Sequence, residues 1–326
     1  MTTARIRRPE SNRLPGVDGI AVPGFIRNGR YFFTEISVFA DGIFDCWGGV
    51  DLDFLARKFA QGWICPGAFV GEEISVHDLM AAQVVACEWD FSAEAYHKRL
   101  LGYLADLNPT SQDLVDFEGE DVDIRDGVRW AKVGMIRTTP LQLNKQDSSP
   151  PGDSRNILVR HDGQTFLTVM RIYADGQVDI HPRFDEERFV SVDELGALLK
   201  RGEILLSVPD GTVLEIDTLG RMTVTEVMCW IEKPADLIAE VTDSIQKLRG
   251  EKSSIQNCRD AYQEYLDKPT LATKELLRIA YEAVPEHHRM YVGDMDVKDI
   301  PIRMVLYGEQ EIENWSHRLV ARSLGH

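Results

Sequence analysis

The chain has 326 residues, of which 44% are hydrophobic and 27% charged, a composition that indicates a folded protein with room for two or three domains. Its formal net charge of −17 disfavours general nucleic-acid binding, because an acidic surface repels phosphate backbones. The five cysteines include no Cys-x-x-Cys pair, which argues against a zinc ribbon and a disulfide framework. The sequence shows neither a signal peptide nor an apolar run of about eighteen residues. We therefore expect a cytoplasmic protein that does not interact with membranes.

Two stretches of the sequence resemble each other in order and spacing. Residues Asn28–Trp47 align with Asp162–His181 without a gap, and the triplet Ala-Asp-Gly occurs at the same place in both. Similarity of this kind rarely continues by chance over the length of a supersecondary unit, so the pattern predicts an internal duplication. After small insertions the matched positions are Asp53 and Asp193, Leu55 and Leu195, Gly62 and Gly202, Ile64 and Ile204, and Cys87 and Cys229.

Each stretch contains the signals of two strands joined by a tight turn. The runs Phe32–Phe39 and Phe166–Tyr173 are rich in aromatic and β-branched residues, which favour strands. The Asp-Gly pair that follows each run predicts a hairpin with a primed turn. The return strands are then expected at Ile43–Trp47 and Gln177–His181.

An amphipathic helix, further strands and a closing helix follow in each stretch. In the second stretch Ser191 and Glu194 predict a capping box, and Gly202 stands where a helix end favours glycine. The closing helices are expected near Ala93–Leu107 and Ala235–Leu248. The fold class is therefore α+β, an internal duplication of a β-β-α-β-β-α unit with mostly antiparallel sheets, plus a helical C-terminal segment.

The same pattern divides the chain into four parts. We expect a first α+β repeat with an N-terminal arm at residues 1–107 and an acidic, Pro/Ser-rich linker at 108–155. A second repeat is expected at 156–250 and a helical C-terminal segment at 251–326. The helices of the last part are indicated at Ile255–Leu266, Thr270–Val284 and Gln310–Leu324.

The densest group of potential metal ligands lies in the C-terminal segment. His287, His288, Asp294, Asp296 and Asp299 fall within one short stretch, and imidazole with carboxylate oxygens can hold a divalent ion that activates water. The spacing matches neither an EF-hand loop nor the HExxH motif. The alternative interpretation is structural, with the aspartates in a turn or on a strand face beside neutralising basic residues.

Tryptophans distinguish the first repeat from the second. An apolar surface that only one repeat carries would indicate that this repeat binds a partner. The alternative interpretation is that the three side chains fill the first core. The first repeat has Trp47, Trp63 and Trp89 where the second has His181, Glu203 and Ile231.

Motifs of known chemistry are missing from the sequence. There is no Walker A loop, no GxSxG elbow and no GxGxxG after a strand, so we expect no cofactor and assign no catalytic residue. An acidic α+β chain without catalytic motifs is similar to immunity proteins that neutralise secreted bacterial toxins.

This resemblance implies a non-catalytic protein-binding module, an immunity-type or adaptor protein of a bacterial toxin or defence system. Its partner would be a protein, with a basic toxin or effector domain as the candidate, because opposite charges speed association. The alternative is a metal-assisted hydrolase that uses the His287–Asp299 cluster. The sequence leaves the oligomeric state open.

Overall fold

The computed structural model describes residues 5–7, 17–112, 114–116, 122–125, 128–131, 152–180, 188–231 and 233–324. The fold is α+β, as the sequence predicts, with a large mixed sheet, helices packed on it and further helices at the C-terminal end. The first half contains β1 (Arg5–Arg7), β2 (Asp18–Asn28), β3 (Arg30–Phe39), β4 (Phe44–Asp45), β5 (Gly49–Val50), α1 (Leu52–Ala60), β6 (Ile64–Cys65), β7 (Glu73–Val76), β8 (Met80–Trp89) and α2 (Ala93–Leu107).

The second half repeats this order of elements after a small separate hairpin, β9 (Val122–Arg125) and β10 (Val128–Ala131). Its elements are β11 (Gly152–His161), β12 (Gln164–Tyr173), β13 (Gln177–Ile180), β14 (Phe189–Ser191), α3 (Val192–Arg201), β15 (Ile204–Leu205), β16 (Thr212–Ile216), β17 (Gly220–Cys229) and α4 (Pro234–Leu248).

The two halves join edge to edge in one sheet. The strand order is β1-β2-β3-β7-β8-β17-β16-β12-β11-β15, and β3 and β12 run parallel to β7 and β16 while the other described pairings are antiparallel. At the seam between β8 and β17, Gly220 pairs with Trp89 and Cys229 pairs with Met80. The first residue of each strand thus faces the last residue of the other. This is the self-complementary register of a twofold interface, here within a single chain.

The pairings inside the halves correspond as well. Tyr31 pairs with Ile74 in the first half, and Thr165 pairs with Leu214 in the second. Each half also begins with a long strand, β2 or β11, that the predicted unit lacks. In β2 the proline at position 23 weakens the strand signal, but it lies between the residues that pair with β1 and those that pair with β6. Its missing N–H therefore costs no ladder bond on that edge.

The predicted primed turns lie elsewhere than expected. In Asp41-Gly42 and Asp175-Gly176 only the glycine has a positive φ, whereas a primed turn of type I′ requires it at both positions. Asp162-Gly163, between β11 and β12, has positive φ at both residues (49° and 78°). The return strand predicted at Ile43–Trp47 is also wrong in extent, because only Phe44–Asp45 pairs with β3 and Trp47 lies in a turn.

The core explains why β12, and residues 157–159 of β11, are buried without alternation. One face of these strands, with Leu158 and Leu167, joins the large core of the first half, which also includes Leu55 of α1 and Tyr96 of α2. The opposite face packs with Leu195 of α3 in a second core. Strands buried on both faces lose the alternation of apolar and polar residues. The halves therefore share a core as well as a seam.

The C-terminal segment has a separate core among α5 (Ser254–Asp267), α6 (Leu271–Glu282) and α7 (Ile300–Tyr307). A 3₁₀ helix at Glu286–Tyr291 connects α6 to the later part. The single last helix predicted at Gln310–Leu324 is split into α8 (Glu309–Ile312) and α9 (Trp315–Leu324). Within the described ranges, no helix combines the length and the apolar character needed to cross a bilayer.

Candidate functional site

A cavity of about 620 Å³, which we call the junction pocket, lies where the two halves meet. The first half contributes β3, the β4–β5 turn and the end of β7, and the second half contributes β11 and β12. Cavities of this volume fall in the range of small-ligand and anchor-residue pockets. Its walls are Phe32, Phe33, Thr34, Glu35, Ser37, Asp45, Trp47, Ser75, His77, Ser154, Arg155, Asn156 and Val169.

Aromatic side chains form one wall of the junction pocket. The ring of Trp47 lies edge-on to Phe32, with centroids 4.7 Å apart, and to Trp63 at 6.3 Å. On Trp63, the ammonium of Lys58 lies 4.2 Å from the ring centroid, which is a cation–π contact. Trp47 itself remains 53% exposed. The structure thus brings two of the three tryptophans singled out in the sequence together beside the pocket.

Trp47 is held in this exposed position by a strained turn. Its φ is 69°, in the left-handed region that costs a residue with a side chain about 1–2 kcal/mol. The following Gly48 donates its N–H to Oδ1 of Asp45 at 3.0 Å, which fixes the turn. A strained backbone that presents a large aromatic ring to solvent supports a hypothesis of function at this position.

Trp89, the third tryptophan, is partly buried against the core of the first half. Its Nε1 donates to the carbonyl of Ala68 at 2.7 Å, and its ring packs edge-on against Phe25 at 5.5 Å. A satisfied indole N–H and a buried ring partner are what an internal tryptophan requires.

A buried ion pair lies at the base of the junction pocket and connects the halves. Nη2 of Arg171 donates to Oε1 of Glu35 at 2.9 Å, and the side chains are only 9% and 14% exposed. Burial alone would lower the pKa of Arg171, but the Glu35 carboxylate outweighs it and the pKa is raised. Arg171 is therefore charged, and each partner depends on the other for compensation of its buried charge.

Arg155 connects the junction pocket to the C-terminal segment. Its Nη2 donates to the carbonyl of Asp78 at 2.9 Å, and its Nη1 pairs with the carboxylate of Glu240 on α4. Burial lowers the pKa of Arg155 to about 10, so the guanidinium remains charged at neutral pH. One side chain thus touches the pocket, the β7–β8 turn of the first half and α4 of the second.

Two of the five predicted metal ligands converge on that same glutamate. Nε2 of His287 contacts Oε1 of Glu240, and Nε2 of His288 lies 3.4 Å from the same oxygen. The two imidazole rings have centroids 4.3 Å apart. Burial lowers the pKa of each histidine, so both rings are neutral near pH 7.

Two of the three predicted aspartate ligands, Asp294 and Asp299, have other partners. Oδ1 of Asp294 accepts from the backbone N–H groups of Asp296 and Val297 at 3.0 and 2.8 Å, which makes a turn. Asp299 accepts from the Tyr281 hydroxyl at 2.6 Å. Asp299 and His287 do border one cavity of about 450 Å³ among the C-terminal helices. Across the described ranges, however, the cluster with metal-ligand spacing consists of Glu240, His287 and His288.

The C-terminal segment docks on the second half through carboxylates along one face of α4. Asp236 accepts from the backbone N–H of Glu286 at 3.0 Å. Asp243 accepts from the backbone N–H and the hydroxyl of Ser254 at 2.8 and 2.5 Å. Glu240 lies between these two positions, four and three residues away, on the same helix face. The docking surface is therefore polar.

Sequence reasoning missed Glu240, Arg155 and the Glu35–Arg171 pair. One signal was available, because Glu240 lies between Leu237 and Val241 on the buried face of α4. A carboxylate on an apolar helix face requires a buried partner. No comparable local signal identifies the partners, which come from strands far away in the sequence.

Comparison with known proteins identifies family membership without a described activity. A family model described as a domain of unknown function (DUF7638) matches residues 9–111 and 144–252. A second model, described as a domain of unknown function (DUF7639), matches residues 253–325. No curated protein and no solved structure matches the chain.

Proposed function

We propose that this chain, which belongs to the DUF7638 family, is a non-catalytic protein-binding module that recognises a basic segment of a partner protein at the junction pocket. The observation that carries the proposal is Trp47, a half-exposed indole in a strained turn at the rim of a cavity between the halves. Half-exposed tryptophans beside a pocket are the side chains that most often dominate a protein interface.

A cationic side chain suits the rim of the pocket. The face of an indole attracts ammonium and guanidinium groups, and the Asp45 carboxylate borders the same pocket. The contact between Lys58 and Trp63 is an internal example of this chemistry beside the pocket. The net charge of −17 would attract a basic partner over a longer range and raise the rate of association.

Within this proposal the protein is of the immunity or adaptor type, and it acts in a bacterial cytoplasm. A basic toxin or effector domain would be captured by its own arginine or lysine side chains, and the acidic chain would mask them. Charge complementarity and the apolar anchor support the immunity or adaptor role, and the chemistry of the pocket is compatible with it.

We also infer that the two halves arose by duplication of one β-β-α-β-β-α unit with an additional first strand and mostly antiparallel pairing. Matched strand pairings, the self-complementary seam and two successive family-model matches support this inference. After a duplication, one copy can keep the scaffold while the other gains a binding side chain such as Trp47.

The alternative is metal-assisted hydrolysis by the His287–Asp299 cluster. One observation favours part of it, because two neutral imidazoles and a carboxylate meet at Glu240. Asp294 and Asp299 have structural partners instead, so hydrolysis would need a different set of ligands. We keep it as the second candidate.

The test uses peptides and two tryptophan variants of the full chain. Fluorescence anisotropy would measure binding of a library of Arg- and Lys-containing peptides, with a matched acidic library for comparison. We expect Trp47→Ala to weaken binding at least about tenfold, as loss of an interface anchor does. Trp230→Ala is the matched control, since Trp230 is 46% exposed and does not line the junction pocket.

The same variants extend the test to the native host. Wild-type protein and Trp230→Ala should retain one basic partner that Trp47→Ala loses. Equal retention by all three proteins, or a preference for acidic peptides, would contradict the proposal.

A further inference from the structure

We propose that Glu240, His287 and His288 form a site for a divalent transition-metal ion, with zinc the best fit, that fastens the C-terminal segment to α4. The site differs from the five-residue set predicted in the sequence, because it takes its carboxylate from the second half. Its test requires no partner at the junction pocket.

The candidate ligand atoms lie close enough together for one ion to reach all three. One oxygen or nitrogen atom from each of the three side chains lies within 4.8 Å of the other two. Zinc–nitrogen and zinc–oxygen bonds of about 2.0–2.1 Å at tetrahedral angles place ligand atoms roughly 3.3–3.5 Å apart. The separation of 3.4 Å between Nε2 of His288 and Oε1 of Glu240 is that of a tetrahedral edge. Nε2 of His287 contacts the same oxygen directly, so this pair would separate to admit the ion.

The arrangement of the two histidines supports a ligand role. Successive side chains of a 3₁₀ helix diverge, since three residues complete one turn. Here both Nε2 atoms nevertheless point to one carboxylate oxygen. A simple ion pair with Glu240 needs only one imidazole, whereas a shared ion uses both.

Burial and charge around the site are compatible with a cation. Glu240 is 5% exposed, while His287 and His288 are 26% and 31% exposed, which leaves one side open for a water ligand. Two histidines and one glutamate are a known protein ligand set for zinc. Asp78, Asp236 and Glu286 favour positive charge at His287, and they offset the nearby Arg155.

Arg155 acts as a support for the carboxylate ligand. It pairs with Oε2 of Glu240, so that Oε1 remains directed at the imidazoles. Groups that hold a ligand from behind in this way commonly change metal affinity about 10–100-fold when they are removed.

The experiment is a calorimetric titration of the chelator-treated full chain with Zn²⁺. We expect one ion per chain, with affinity more than about tenfold weaker in His287→Gln and in His288→Gln. His161→Gln is the matched control, because His161 also lies beside a carboxylate, that of Asp162 at 3.6 Å, and is 31% exposed. No Zn²⁺ binding, or unchanged binding in the His287→Gln/His288→Gln double variant, would overturn the site.

Two readouts on wild-type protein keep the test valid if a variant fails to fold. Co²⁺ in place of Zn²⁺ should give the strong visible absorption of a four-coordinate ion, and its absence would overturn the proposal. Zn²⁺ should also slow tryptic cleavage after Arg249 and Lys252, between α4 and α5, at least several-fold. Binding without such protection would overturn the fastening role, and neither readout depends on Trp47 or on a protein partner.

Discussion

At equivalent places on β3 and β12, the first half carries Glu35 and Ser37 where the second half carries Val169 and Arg171. The buried ion pair joins Glu35 of the first half to Arg171 of the second. The residues at the equivalent places, Val169 and Ser37, carry no charge, so the pair has no symmetric counterpart. The turn after β4 adds the Trp47 side chain to the first half. The described part of the second half has no tryptophan at the matching place.

The two halves therefore agree where the fold requires it and differ where they face the junction pocket. Matched positions such as Leu55 and Leu195 are core residues, and Gly62 and Gly202 follow the helices α1 and α3. The differences concentrate charge and aromatic surface at one place. A binding site that uses both halves does not need to obey the symmetry of the scaffold.

The largest expected effect comes from breaking the asymmetric ion pair. In Arg171→Met the Glu35 carboxylate stays buried without its guanidinium, so we expect a loss of about 3–5 kcal/mol in the free energy of unfolding. Urea denaturation followed by circular dichroism measures this loss.

An exposed ion pair across the seam provides the control. Arg221 and Glu88 also join the halves, but they are 55% and 71% exposed. Arg221→Met should cost much less than Arg171→Met, since water screens an exposed pair. Equal losses in the two variants would mean that burial does not distinguish the pairs.

A comparable effect is expected from cavities at matched core positions. Leu55 and Leu195 are both fully buried, in α1 and α3. Leu55→Ala and Leu195→Ala should each lower the free energy of unfolding by about 2–5 kcal/mol. Because the halves share a core and a seam, both variants should shift one common transition. Two separate transitions in either variant would show that the halves unfold independently.

The smallest effect concerns the helix caps at matched positions. Asp51 caps α1 through a bond from Phe54 N–H at 2.9 Å, and Ser191 caps α3 within a capping box with Glu194. Replacing either cap by alanine should cost about 1 kcal/mol at neutral pH, measured by urea denaturation.

The capping box of α3 makes a pH-dependent contribution to stability. Hydrogen bonds from the backbone and side chain of Ser191 hold the pKa of Glu194 below its ordinary value of 4.5. A lowered folded-state pKa gives stability that is present above the ordinary value and is lost as the pH falls through the folded value. The cost of Ser191→Ala should therefore shrink below pH 4.5, and a constant cost would exclude the Glu194 contribution.

The part of the fold that follows from local chemistry could be predicted from the sequence. Ser191, Glu194 and Gly202 define the ends of α3 as expected, because caps depend on residues only a few positions apart. The first strand of each half could not be recognised in the same way. In β2 a proline and two glycines obscure the strand pattern. The strand accommodates the proline because neither neighbouring strand on that edge pairs with it.

The candidate sites were only partly accessible to the same reasoning. Trp47, His287 and His288 attract attention by their residue types alone. Glu240 and Arg155 do not, because a single glutamate or arginine is usually solvated. Their meeting depends on how α4, β11 and the 3₁₀ helix pack, and no local pattern encodes a contact between residues so distant in the sequence.

The seam between β8 and β17 has a consequence for each half taken separately. With its neighbour removed, β8 or β17 would present a row of open backbone N–H and C=O groups at the edge of a sheet. Val85 of β8 and Met228 of β17 add exposed apolar side chains to these edges. Such an edge favours aggregation or pairing with a second copy. Covalent linkage of the two halves thus protects solubility, because each supplies the partner strand at a fixed and high local concentration.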